Sequence, residues 1–292
     1  MVDDAQVSER PGLPPRPVIG VLHPGVMGAA VGSALKPSAS AVIWAAAGRS
    51  ITTSKRAEIA DLVGVPDLAE LARRADVIIS VCPPDAALEV AEQVATALGD
   101  RPDRPLYVDA NAVSPATVGR IGALLGEGRV VDGSIIGPPA WEPGRTVLWL
   151  SGAGADAVAG LFAGSPFEAT VLGPDLGAAS ALKACFALQS KALPAIWLAM
   201  AEAARAHGVE DALRAELTRA GVDVAAQLDG VAAGVGAKAW RWVGEMEEAG
   251  DTLAAVGVPD GFSRAAAEMY RRIAELDPTD RANAWGLRGS AS

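Results

Sequence analysis

The chain has 292 residues, half of them hydrophobic, rich in Ala and Gly and only 4% aromatic, which suits one large or two ordinary globular domains, each with a sizeable core. Its 35 Asp and Glu against 25 Lys and Arg give a formal charge of −10, and such a surface repels phosphate backbones, which argues against nucleic acid or an anionic membrane as a partner. Two cysteines, Cys82 and Cys185, are too few for a disulfide framework, so a reducing cytoplasm is the expected compartment.

Residues 1–16 are acidic and then proline-rich with no apolar run, and are expected to be a disordered tail without a targeting segment. Residues 18–22 form a short apolar run followed by a glycine turn and a helical pattern, which reads as strand, turn, helix. A second strand is expected at 41–44, a helix at 56–62, and a strand at 77–81 that ends at Pro83-Pro84. A helix at 86–98, a strand at 106–109 and a helix at 115–125 with Ser114 as its N-cap follow. The last strands are expected at 129–132, 146–150 and 168–172. Continuous apolar strands alternating with helices imply a doubly wound, mainly parallel α/β sheet covered on both faces, a Rossmann domain over 17–173.

From Gly177 the period becomes helical. Residues 178–207 contain no glycine, Gly208 suits the C-cap, and Pro194 is expected to kink this helix. Further helices are expected at 211–228, 238–255 and 263–276, which makes an all-α second domain over 174–288. The most apolar stretch, 192–201, is bracketed by Lys191 and Glu202 and is too short for the ~20 residues a bilayer span requires.

The first strand leads into His23-Pro24-Gly25-Val26-Met27-Gly28. A dinucleotide turn needs a tight bend, close backbone approach to the pyrophosphate and close helix–strand packing. Gly25 and Gly28 stand at the second and third glycine positions, and His23 replaces the first. The pyrophosphate would rest on the N–H groups of Val26 and Met27 at the helix N-terminus. An ordinary tight turn uses the same residues, but the place between first strand and helix favours the cofactor reading. The residue that selects the cofactor is expected after the second strand. That stretch runs Trp44-Ala45-Ala46-Ala47-Gly48-Arg49-Ser50 and contains no acidic residue, whereas Arg49 offers a guanidinium fork and Ser50 a hydroxyl for a 2′-phosphate. Lys55 and Arg56 add local positive charge. NADP(H) is therefore favoured over NAD, with a solvated basic loop as the plain alternative. His23 and His207 are the only histidines and neither has a ligand partner at useful spacing, so no metal is expected.

On these residues the chain resembles the β-hydroxyacid dehydrogenase and 6-phosphogluconate dehydrogenase superfamily, in the branch with a DUF1932-type helical C-terminal domain. The resemblance rests on the 23–28 turn, on Val81-Cys82-Pro83-Pro84, on the 109–115 run with Asn111, and on 177–183, where Lys183 matches the family's catalytic lysine. The run Arg241-Trp242-Val243-Gly244-Glu245-Met246-Glu247-Glu248 resembles that branch in particular. The resemblance implies a Rossmann domain, a long interdomain helix and a helical domain that forms a homodimer. It implies that Cys82 and Pro83 line the adenosine side and that Asn111 lies near the nicotinamide ribose.

Two departures bear on the substrate. The family's Ser-Gly-Gly element reads Ile136-Gly137-Pro138 here, and Phe186 and Ala187 stand where the family has asparagines after the lysine. Both changes make the pocket more apolar. Backbone amides around Ser134 to Gly137 would bind a substrate oxygen, with Ile136 and Phe186 beside the substrate. Lys183 lies among Ala181, Leu182, Ala184 and Phe186, which would desolvate it for general acid/base work. A lone lysine on a helix ordinarily snorkels to solvent, and spacing alone leaves the two roles open; the match to the family's lysine favours catalysis. Lys191 is expected at the surface, Glu245 and Glu248 in solvent, both cysteines buried, and Trp197, Trp240 and Trp242 in the core or a dimer interface.

Three functions fit. The first is an NADP(H)-dependent oxidoreductase acting on a small hydroxy or carbonyl substrate through Lys183. The second is an imine reductase for an apolar cyclic imine, although such enzymes carry another residue type at the lysine's position. The third is a non-catalytic NADP-binding module.

Overall fold

The computed structural model describes residues 12–126, 128–223, 227, 235 and 238–276. Most of the expected tail lies outside these residues; of its remainder, Leu13 packs on the core and the Arg16 guanidinium donates to the Ala39 carbonyl at 2.7 Å. The chain divides into two compact units. One holds the described residues up to Val81 together with Glu89–Ala110 and Ile121–Leu176, and the other holds Cys82–Leu88, Asn111–Arg120 and the residues from Gly177 onward.

The first unit is built on one eight-stranded sheet. Its strands are β1 (Val18–Val21), β2 (Ala41–Ala45), β3 (Val63–Val65), β4 (Val77–Ser80), β5 (Leu106–Asp109), β6 (Val130–Ile136), β7 (Val147–Ser151) and β8 (Glu168–Gly173), in the order β3-β2-β1-β4-β5-β6-β7-β8. All neighbours pair in parallel except β6 and β7. The link between those two contains no crossover helix, and a direct return can only pair antiparallel. The helices along this part of the chain are α1 (Val26–Leu35), α2 (Ile51–Ile59), α3 (Leu68–Arg74), α4 (Ala87–Leu98), α5 (Pro115–Leu125) and α6 (Ala155–Leu161). This is the doubly wound, mainly parallel arrangement that the alternating apolar runs imply. β3, α3 and α6 were not legible in those runs. β3 is a three-residue edge strand with Val63 exposed, and α3 and α6 have seven residues each, too short for a period to show.

The second unit is helical. α7 (Ala178–Ala187) and α8 (Leu193–His207) are joined by a π-helical turn, Leu188–Ala192, into one continuous helix. α9 (Glu210–Arg219), α10 (Ala239–Ala254) and α11 (Gly261–Glu275) follow among the described residues. Gly177 starts α7 with φ +98°, and a Cβ there would come within 2.9 Å of Pro115 Cβ, so both conformation and space require glycine. Gly208 ends α8 in the left-handed conformation, as its place after the helical run implies. Pro194, where a kink is expected, stands two residues past the π-turn, in the first turn of α8. Proline has no N–H for the carbonyl one turn back, and the helix accommodates this by widening instead of breaking. Within the widened turn the Lys191 carbonyl accepts from Tyr270 Oη at 2.5 Å. The helix expected over 211–228 ends at Arg219; residues 224–226 and 228 lie outside the described set.

Ala178–His207 is long and apolar enough to cross a membrane by length and composition. Its buried stripe, Ala184, Ala187, Ala192, Ala195 and Leu198, packs in a core with Met246, Ala249, Ala266, Tyr270 and Ile273. Trp242 meets Tyr270 edge-on at a centroid distance of 5.1 Å and Trp197 lies against the same core, whereas Trp240 is exposed.

Candidate active site

In the first unit the candidate site is the turn between β1 and α1. The Gly25 N–H donates to the His23 carbonyl at 2.8 Å, which closes the bend without a glycine at position 23. Gly28 packs so closely that a Cβ would stand 2.0 Å from the His23 carbonyl oxygen. At Gly25 nothing lies within 4 Å of a Cβ position, so the backbone there is open to approach. Gly25 is the N-cap of α1, with no side-chain cap bond and no acidic residue in the first turn. The leading N–H groups, on exposed Val26, half-buried Met27 and Gly28, have no partners within the helix and suit an anion.

Arg49 lies over this turn. Its Nη2 donates to the Leu22 carbonyl at 3.2 Å, and its buried Nε has no hydrogen-bond partner among the described residues. Burial lowers its pKa from the ordinary arginine value. Burial first, and Arg49 second, push the His23 imidazole down to about 4, so it is neutral. A guanidinium with an unfilled donor, beside open helix N–H groups, fits a phosphate. Ser50 caps α2: its hydroxyl accepts from Thr53 N at 3.2 Å.

Toward the end of β6, Ser134 is fully buried opposite Trp149 in the ladder, and its Oγ has no hydrogen-bond partner among the described residues. Ile136 is half-buried opposite Val147. Gly137 has φ +134°, and a Cβ there would lie 2.4 Å from the Arg145 carbonyl oxygen.

The second unit brings several of the other sequence candidates together. The Cys82 N–H donates to Asn111 Oδ1 at 2.6 Å, and Asn111 is buried. Pro83 is half-buried, and Pro84 packs where Gly244 leaves room; a Cβ at Gly244 would be 3.1 Å from Pro84 Cγ. The Ser114 N–H donates to Glu248 Oε2 at 2.6 Å, and Thr117 Oγ1 donates to the same oxygen at 3.0 Å. Ser114 also caps α5 as expected, accepting from Thr117 N at 3.3 Å. These bonds hold Ala112 and Val113 as one wall of a cavity of about 10 Å³, which Lys183, Ala184, Ala187, Glu245, Glu248 and Ala249 complete. That volume holds about one water molecule. Lys183 is half-buried, and Phe186, on the next turn, is 44% exposed.

Here the structure corrects the sequence reading. Glu245 and Lys191 are not solvated. Lys191 Nζ lies 2.7 Å from Glu245 Oε2, with the two side chains only 15% and 11% exposed. Burial alone would raise the Glu245 pKa, but Lys191 and then Lys183 attract its charge and hold it below the usual value, with help from Arg241. Glu248 is half-buried and bonded, Cys82 is half-buried, and Cys185 is exposed. The surround of Lys183 is therefore not only the apolar one its helical neighbours imply, because α10 places carboxylates in it. The one local signal was Glu245 and Glu248 sharing a helical face with buried Met246 and Ala249.

Comparison with known proteins agrees with this architecture. The model of a domain of unknown function, DUF1932, matches residues 204–273. A curated relative from Methanothermus fervidus, an uncharacterized 28.5 kDa protein in the 7S RNA 5′ region, is 33% identical over 167 residues. The match takes in 57% of this chain and 62% of the relative, less than two thirds of its length. A conserved protein of unknown function, solved and described as structurally similar to 3-hydroxyacid dehydrogenases, aligns with a TM-score of 0.64 at 24% identity, over 91% of this chain and 99% of its own. The 3-hydroxyisobutyrate dehydrogenase of Mycobacterium tuberculosis, solved with L-serine, aligns with a TM-score of 0.62 at 20% identity, over 92% and 98%. The fold is that of the 3-hydroxyacid dehydrogenases, and the C-terminal segment is of the DUF1932 type, as the sequence resemblance implies.

Proposed function

We propose that this chain, with a DUF1932 segment on a 3-hydroxyacid dehydrogenase fold, is an NADP(H)-dependent oxidoreductase that moves hydride between the nicotinamide and a small carbonyl or hydroxy substrate. The observation that carries this reading is the turn after β1. Gly28 is closed against the His23 carbonyl, Gly25 is open, and Arg49 keeps an unfilled buried donor beside them. Packing alone explains Gly28; it explains neither the opening at Gly25 nor the unpaired guanidinium nitrogen.

The nicotinamide, when bound, supplies or accepts the hydride. The N–H groups of Val26 and Met27 bind the pyrophosphate at the start of α1. Arg49 binds the 2′-phosphate through charge-assisted bonds, with Ser50 at the edge, which favours NADP over NAD. Cys82 and Pro83 line the adenosine side, and Asn111 serves the nicotinamide ribose. Lys183 Nζ gives a proton to the carbonyl oxygen in reduction and takes it back in oxidation. Main-chain groups from Ser134 to Gly137, with Ile136 and Phe186, hold the substrate. The helical unit forms the homodimer, and the protein works in the cytoplasm, where its free cysteines stay reduced.

The test is NADPH oxidation against a panel of aldehydes, ketones, keto acids and cyclic imines. Lys183→Ala is expected to lower turnover by about 100-fold or more while NADPH affinity is unchanged. Full turnover in that variant overturns the acid/base role. Turnover on cyclic imines alone makes the protein an imine reductase, and binding without turnover on any compound makes it a nucleotide-binding module.

A further inference from the structure

We infer that Glu245 is a positioning residue for Lys183, held in place by Lys191 through the π-turn between α7 and α8. The inference rests on the reading of Lys183 as the proton donor and adds to it the group that fixes and charges that donor.

Lys183 and Lys191 are eight residues apart on one continuous helix. In regular α-helix eight residues turn the second side chain about 80° off the first. A π-turn adds one residue to the turn, so the separation acts as seven, and the offset falls to about 20°. Leu188–Ala192 is such a turn, and the Tyr270 hydroxyl bonds the Lys191 carbonyl within it. The turn thereby brings both ammonium groups onto the face that packs against α10.

On α10 that face is apolar, with Met246, Ala249 and Leu253 buried, yet Glu245 stands among them. A carboxylate taken out of water is costly unless paired, and a pair that only neutralises itself does little for stability. Here the carboxylate serves two ammonium groups. Its Oε2 binds Lys191 at 2.7 Å, and Glu245 lines the same small cavity as Lys183. Among the described residues, Arg241 and Glu248 on α10 are further charged groups near it, and Glu248 is engaged by Ser114 and Thr117. Lys191 keeps Glu245 ionised and fixed, and Glu245 keeps Lys183 charged and directed into the cavity.

The test reads Lys183 directly. The chain has five lysines, few enough for isotope-labelled lysine signals to be assigned by single substitutions and titrated by NMR. In Glu245→Gln the Lys183 midpoint is expected to fall by about one unit, and Glu245→Asp is expected to restore it. Where turnover is measurable, the alkaline limb of kcat for reduction moves down by the same amount and the KM for NADPH stays. An unmoved midpoint overturns the inference. If Glu245→Gln fails to fold because Lys191 is left unpaired, the same comparison in a Lys191→Gln background decides it by the same criterion. A shifted midpoint in a protein whose Lys183→Ala variant keeps full turnover would sink the acid/base reading alone.

Discussion

The Ser114 N–H donates to Glu248 Oε2 at 2.6 Å, a bond between residues 134 positions apart in the sequence. It ties the 111–120 segment to α10 within the helical unit, and it adds a carboxylate to the N-terminus of α5, where the helix dipole favours negative charge. Ser114 is buried, so its amide has no solvent to fall back on. Glu248→Ala is expected to cost about 1–3 kcal/mol in urea unfolding, and Glu248→Gln, which keeps an acceptor, less. Unchanged unfolding midpoints in both variants would show that the bond contributes nothing.

Gly25 and Gly28 separate folding from binding. Gly28→Ala forces a Cβ to 2.0 Å from a backbone oxygen and is expected to cost about 1–3 kcal/mol or more as the turn shifts. Gly25→Ala meets open space at φ −69° and is expected to change stability by less than about 0.5 kcal/mol. The added methyl would nevertheless stand where a pyrophosphate must approach, so NADPH affinity is expected to fall about tenfold or more. Thermal melts and fluorescence titration with NADPH give the two readings, and intact affinity in Gly25→Ala argues against the cradle.

Arg49 is the residue proposed to select the cofactor. Losing charge-assisted bonds to a phosphate costs about 1.5–3 kcal/mol, so Arg49→Ala is expected to weaken NADPH by roughly 10- to 100-fold and leave NADH as it was. A parallel loss for both dinucleotides would mean that Arg49 supports the turn and does not read the 2′-phosphate.

His23 gives the first unit an acid-sensitive point. Its folded pKa of about 4 lies below the ordinary 6.5, through burial and then Arg49. Between those values the unfolded chain carries a proton that the folded chain does not. Stability from this group is therefore complete above about pH 6.5 and declines as pH falls toward 4. Urea midpoints at pH 7 and pH 5 are expected to differ less in His23→Asn than in the native chain. Equal differences would remove His23 from the account.

The turn after β1 was readable because it is local. Six consecutive residues set its bend, its packing glycine and its open helix end, and the strand before it announces itself by its apolar run. Arg49 was found by its place after β2, yet its unfilled Nε shows only in the fold. Ser50 was singled out for its hydroxyl, and its bond to Thr53 N as the cap of α2 shows only in the structure. Lys183 was singled out by resemblance; nothing in its own helix revealed the carboxylates that α10 brings beside it.

The sequence by itself determined the alternation of strands and helices, the change of period at Gly177, the Ser114 cap and the Gly208 stop. Each depends on residues within a turn or two of one another, where side-chain spacing and backbone preference act directly. Only the tertiary structure decided that Lys191 and Glu245 are a buried pair, that Glu248 reaches Ser114, and that a π-turn precedes Pro194 in a helix that continues through it. A charged side chain on a helix has the same local pattern whether water or another helix faces it, and its partner is set by packing between segments far apart along the chain.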